Sequence, residues 1–100
     1  MRAGTAAAEV AKKTHGYIRE QGYGHTILYG PAHGCGQMEC EFPFLETSSK
    51  YLLEENMVFM VDIFLAEKDM GFRWEDGVII RSGAPEELSS YKRQLNILEV

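Results

Sequence analysis

The tetrapeptide Arg73-Trp74-Glu75-Asp76 follows an apolar run with an acid at its middle, Met57-Val58-Phe59-Met60-Val61-Asp62-Ile63-Phe64. A carboxylate inside such a run must be neutralised, hydrogen-bonded or bound to a metal, because leaving it ionised and alone costs several kcal/mol or more. The two segments are joined by Ala66-Glu67-Lys68-Asp69-Met70-Gly71, a polar turn ending in glycine. A hairpin centred between Lys68 and Asp69 sets Asp62 directly opposite Glu75. Opposed residues on one face have Cβ atoms about 4.5–5.5 Å apart, and like charges there repel. A cation held between the two carboxylates removes that penalty.

A second signal is Pro31-Ala32-His33-Gly34-Cys35-Gly36. Glycines after a histidine let the backbone bend and approach other atoms closely. Imidazole beside two carboxylates is a mixed nitrogen and oxygen ligand set, suited to Mn, Co, Fe or Zn. A histidine near glycines is more often a plain loop residue. The order of histidine, strand acid and hairpin acid is what gives the ligand reading its weight.

These residues need a scaffold. Thr5 is placed to cap a helix over Ala6 to Gln21, with Ala7, Val10, Ala11 and Ile18 near helical spacing and Gly22 as the stop. His25 reads as a packed or surface residue rather than a ligand, and His15 as a helix-surface residue. A short strand is expected at Thr26–Tyr29, a second over Met38 to Phe44, and a polar connection over Glu46 to Asn56 with a helical turn around Tyr51-Leu52-Leu53. Strands near Met57–Leu65 and Phe72–Arg81 follow, then a turn at Gly83-Ala84-Pro85 and a short strand at Glu87-Leu88-Ser89. Trp74 alternates away from Glu75's face. The expected class is α+β: one long helix packed on a curved, mainly antiparallel sheet.

Composition bounds the function. The 100 residues are 45% hydrophobic and 25% charged, which describes one small domain over residues 1–100. A formal net charge of −5 argues against a nucleic-acid footprint, which needs clustered Lys and Arg. No run approaches the roughly 20 apolar residues that span a bilayer, and Met1-Arg2-Ala3-Gly4-Thr5 lacks the apolar core of a secretion signal. Cys35 and Cys40 are too few for a disulfide framework. A cytoplasmic protein with no nucleic-acid or membrane partner is expected.

In this order of motifs the chain resembles the pita-bread metallopeptidases: methionine aminopeptidase, aminopeptidase P, prolidase and the related creatinase. Gly4-Thr5-Ala6-Ala7-Ala8-Glu9-Val10 resembles the family's helix entry, and His33-Gly34-Cys35-Gly36 its His-Gly-x-Gly. Glu55-Asn56-Met57-Val58-Phe59 resembles its Gly-Met-Val-Phe strand entry, with Asn56 where glycine is usual. Arg73-Trp74-Glu75-Asp76 resembles its Arg-x-Glu-Asp, and Gly83 to Ser89 its closing Gly-x-Glu-x-Leu-Thr.

The resemblance implies the C-terminal half of a pita-bread catalytic domain, with His33, Asp62 and Glu75 at metal-ligand positions and Glu75 bridging two metals. In such enzymes water shared by two divalent ions attacks a peptide carbonyl. The substrate implied is an X-Pro peptide. Arg73, on Glu75's face by strand parity, would orient the carboxylates through its planar fork; the rival reading is a salt bridge on a solvated face.

Three departures qualify that picture. Aspartate stands at position 62 where the family has glutamate, one methylene shorter. Cys40 stands where the peptidases carry a second histidine, and a thiol is a weak donor with no evident base beside it. The first half of the fold, which supplies two aspartate ligands, is not represented; Asp69 and Asp76 do not replace it. A fragment inactive alone is therefore expected, its divalent metal (Mn, Co, Zn or Fe) absent if three ligands do not suffice. Its partner would be the missing half or a second copy. The rival readings are a non-catalytic interaction domain, whose uncovered apolar face would form a homodimer, and a non-peptidase member resembling creatinase or dimethylsulfoniopropionate lyase.

Overall fold

Strong helix formers at the N-terminal end build α1, Ala7–Glu20, in the computed structural model, which describes residues 1–99. Ala7, Ala11 and His15 recur at four-residue spacing and form the buried face of that helix. Thr5 does not cap it. Ala6 holds the cap position in extended conformation without a side-chain hydrogen bond. The first free groups are instead satisfied from across the chain: Ala7 donates to the Tyr51 carbonyl (3.1 Å) and Leu53 to that of Thr5 (2.9 Å). This pairing draws Leu52 into a bridge with Ala6, so the expected helical turn at Tyr51–Leu53 is extended. Gly22 ends the helix at φ +89°, letting its own N–H reach Arg19 and that of Tyr23 reach Ile18.

The segment expected as a strand at Thr26–Tyr29 opens instead with a 3-10 turn, Gly24–Thr26, followed by one bridge from Ile27 to Leu65. Thr26 closes the turn by donating both its N–H (3.0 Å) and its hydroxyl (2.7 Å) to the Tyr23 carbonyl.

Five strands follow: β1 (Ala32–Gly34), β2 (Glu41–Leu45), β3 (Val58–Glu67), β4 (Met70–Ile79) and β5 (Glu86–Glu87). They form one antiparallel sheet in the order β2-β1-β3-β4-β5. The long hairpin turns between Glu67 and Met70, and Asp62 lies opposite Glu75 as the turn position requires. Asn56, at φ 70°, adopts the left-handed conformation at the entry to β3 that glycine also tolerates. The β1–β2 register shifts between His33 and Gly34.

The pleat divides the residues between two faces. Phe59 and its partner Val78 join Ala7, Ala11, Ala32, Leu45, Leu53 and Ile80 in the buried core beneath the helix. Met60, Asp62 and Glu75 face the other way, with His33 opposite Met60 on the neighbouring strand. His15, expected at the helix surface, is buried, and its Nε2 lies 3.2 Å from the Tyr29 carbonyl. No helix among the described residues is long and apolar enough to cross a membrane.

Candidate metal centre

Three strands of the helix-free face bring the expected residues together. His33 comes from β1, Asp62 from β3, and Arg73 and Glu75 from β4. His33 Nε2 lies 3.9 Å from Asp62 Oδ2 and 3.8 Å from Glu75 Oε1. The ring is 7% exposed and the Asp62 side chain 4%. His33 Nδ1 is 3.1 Å from the Gly34 carbonyl. A carbonyl only accepts, so the neutral ring carries its proton on Nδ1 and turns the Nε2 lone pair toward the acids.

Asp62 is the most tightly held of these groups. Arg73 grips it with two hydrogen bonds, Nε to Oδ1 at 2.9 Å and Nη2 to Oδ2 at 3.0 Å. Tyr29 donates its hydroxyl to Oδ2 at 2.8 Å. The same Nη2 stands 3.2 Å from Glu75 Oε2. Fork and phenol together answer how a carboxylate survives in the apolar run. They also fix the direction in which its remaining lone pair points.

Glu75 is in a different state. Its Oε1 is buried and has no hydrogen-bond partner among the described residues. Burial, and then the Glu39 carboxyl beside it, hold Glu75 above the ordinary carboxylate range, against the pull of Arg73. Burial and the bond to Asp62 likewise push the Tyr29 phenol up to about 12. An orphaned carboxylate oxygen facing a buried imidazole nitrogen is what a cation would satisfy, so the residues fit a divalent metal.

Two contributors have no counterpart in the sequence pattern. Glu39, in the loop between β1 and β2, places Oε1 3.6 Å from His33 Nε2. The ligand atoms of His33, Glu39 and Glu75 lie within 4.8 Å of one another, a closer grouping than the three residues expected. Tyr29 stands in the sequence only as one of several scattered aromatics. Neither contact has a local sequence signal, since each depends on a loop folding back onto the sheet. Cys40 lines the same cleft of about 330 Å³, with Gly30, Phe44 and Glu46, and is exposed. Its thiol has no hydrogen-bonded base among the described residues. Outside the cleft, Asp76 lies on the opposite face. It accepts from Ser89, Trp74 and Arg93, which hold it below the ordinary carboxylate range.

Comparison with known proteins gives the family and the fold. The model of metallopeptidase family M24 matches residues 1–82. An Xaa-Pro dipeptidase from Bacillus anthracis superposes with a TM-score of 0.91 at 31% identity, over 98% of this chain and 28% of its own. An X-Pro aminopeptidase from Thermotoga maritima MSB8 gives 0.86 at 29% identity, over 93% and 27% of the respective chains. The Bacillus subtilis (strain 168) protein YkvY is 29% identical over 97 residues, 95% of this chain and 26% of its own length. The chain thus spans little more than a quarter of the relatives it matches.

Proposed function

Because the chain belongs to metallopeptidase family M24, we propose that residues 1–100 are the C-terminal half of a pita-bread catalytic domain that hydrolyses X-Pro peptides. The observation that carries this is the buried, unpartnered Glu75 Oε1 facing His33 Nε2 at 3.8 Å beside Asp62. Likeness to an Xaa-Pro dipeptidase and an X-Pro aminopeptidase supports the substrate class.

His33, Asp62 and Glu75 are the residues that would hold the metal. The chemistry a divalent ion would supply there is Lewis-acid polarisation of the scissile carbonyl and a water made nucleophilic near neutral pH. The remaining work belongs to this chain's own groups. Arg73 positions Asp62 through its fork and touches Glu75, so both acids keep a fixed direction. Tyr29 supplies Asp62 with a third donor and, with its ionisation pushed up to about 12, stays neutral across the working range. Cys40 takes no catalytic part in this reading, since a weak thiol donor with no hydrogen-bonded base cannot replace a histidine.

The mechanism requires ligands beyond those of this chain, which matches its coverage of about a quarter of its relatives. Joining the chain to the preceding half of a relative should yield metal-dependent cleavage of an X-Pro dipeptide, measured by release of free proline. Glu75→Gln in that protein should lower the rate at least a hundredfold. Failure to cleave with Mn, Co, Zn or Fe, in a protein shown to be folded, would discard the peptidase reading in favour of another chemistry on this fold.

A further inference from the structure

We infer that Glu39 is a metal ligand of this chain, and that His33, Glu39 and Glu75 hold one divalent cation without any contribution from outside the 100 residues. This rests on the metal-site reading above and, for the chain alone, puts Glu39 from outside the strand pattern in the ligand place given there to Asp62.

The charges around the cleft call for a cation. Glu39, Asp62 and Glu75, with Glu46 also lining the cleft, set four carboxylates against one guanidinium, that of Arg73. Ionised, they leave an excess of negative charge that a divalent cation reduces. Arg73 does not reach Glu39. It is spent on Asp62 through two hydrogen bonds and on Glu75 through an ion pair at 3.2 Å.

Hydrogen bonding then separates the free ligand atoms from the occupied ones. Both Asp62 oxygens already accept hydrogen bonds, from Arg73 and from Tyr29. Glu75 Oε1 accepts none among the described residues although it is buried. His33 is likewise buried, and the nearest carboxylates to its Nε2 stand at 3.6 to 3.9 Å, outside hydrogen-bond range. The buried side-chain atom left without a partner among the described residues therefore belongs to Glu75; it faces His33 Nε2, and the carboxylate closest to that nitrogen is that of Glu39. Ligand atoms within 4.8 Å of one another need only small movements to share an ion at about 2.0–2.2 Å from each.

The loop carrying Glu39 is anchored at both ends. Cys35 donates to the Val58 carbonyl at 3.2 Å, and Met38 donates to the Glu41 side chain at 3.1 Å. Glu39 is thus delivered by a tied loop and not by a free arm. One imidazole with two carboxylates suits Mn, Fe, Co or Zn over Mg.

The test is calorimetric titration of the chain with Mn2+, beside Glu39→Gln and Glu75→Gln, with nitrogen coupling in the Mn2+ EPR spectrum as the reporter of His33. Glu39 is largely exposed, so Glu39→Gln should keep the metal-free melting temperature. We expect one Mn2+ per chain, affinity lowered at least tenfold in Glu39→Gln, and no binding in Glu75→Gln. Binding unchanged in Glu39→Gln but lost in Glu75→Gln would overturn the role of Glu39 and leave the metal-site reading intact. Binding unchanged in Glu75→Gln would overturn both. No Mn2+ uptake by the unaltered chain would overturn the inference alone, since the peptide-cleavage assay of the joined protein tests the other reading independently.

Discussion

Tyr29 shows how much a single hydroxyl can report about this site. Its phenol is partly desolvated against Asp62 and donates to it, and both effects disfavour the phenolate. The unfolded chain ionises its tyrosines near 10. The Tyr29 contribution to stability is therefore whole below pH 10 and is lost as the pH climbs through about 12, where the folded group ionises. Absorbance at 295 nm should show Tyr29 ionising with the last of the five tyrosines. Tyr29→Phe should remove the step at about 12, leaving that of Tyr51, which burial also raises, and cost about 1 kcal/mol at neutral pH, the order of one hydrogen bond. A late titration of unchanged amplitude in the variant would mean the phenol does not answer to Asp62. Asp62 and Glu75 could be expected on one face from hairpin parity, a local fact, whereas His33 joined them only through the order of motifs and the family resemblance. Tyr29 and Glu39 could not be expected there, because their partners lie far off in sequence or across a loop.

At the level of elements, the hairpin was legible because a short turn fixes its register, and its whole ladder follows from one turn position. The neighbours of β1 were not legible. Its three residues pair with β2 and β3 across long connections, and the register break at Gly34 has no sequence signature of its own. That glycine has an evident purpose in the folded chain. A Cβ there would stand 2.7 Å from the Phe42 carbonyl oxygen and 2.8 Å from its carbon, both backbone atoms that cannot rotate away. Gly34→Ala should therefore push β2 off β1 and cost about 1–3 kcal/mol, as overpacking does. Because His33 is the adjacent residue, Mn2+ affinity should fall with it. Gly16 is the contrast, sitting mid-helix with nothing within 4 Å of where a methyl would stand. Gly16→Ala should stabilise the chain by about 0.5–1 kcal/mol and leave metal affinity alone. Urea unfolding of the two variants separates the effects, and equal behaviour would refute the crowding argument at Gly34.

For the whole molecule the governing fact is how little of the sheet is covered. The radius of gyration is 14.3 Å, against about 13 Å for a compact domain of this length. The excess goes with an elongated body of 44 × 28 × 25 Å. At one end the hairpin carries exposed Met70 and Phe72, and Leu28 nearby is exposed as well. Along β3, Phe59 to Val61 are flanked by both β1 and β4, whereas Ala66 and Glu67 pair with β4 alone. Opening free energy should follow that difference in partners. Hydrogen exchange of the isolated chain should therefore protect the amides around Phe59 and Val61 most strongly, and those from Ala66 to Gly71 least. Protection rising toward the hairpin tip in that isolated chain would require something to cover it, and a second copy is then the cover at hand. Light scattering on the same sample decides the matter. A monomer with a labile tip leaves the exposed apolar end for the remaining three quarters of a relative's length to bury, whereas a dimer with a protected tip makes self-association the native arrangement of this chain.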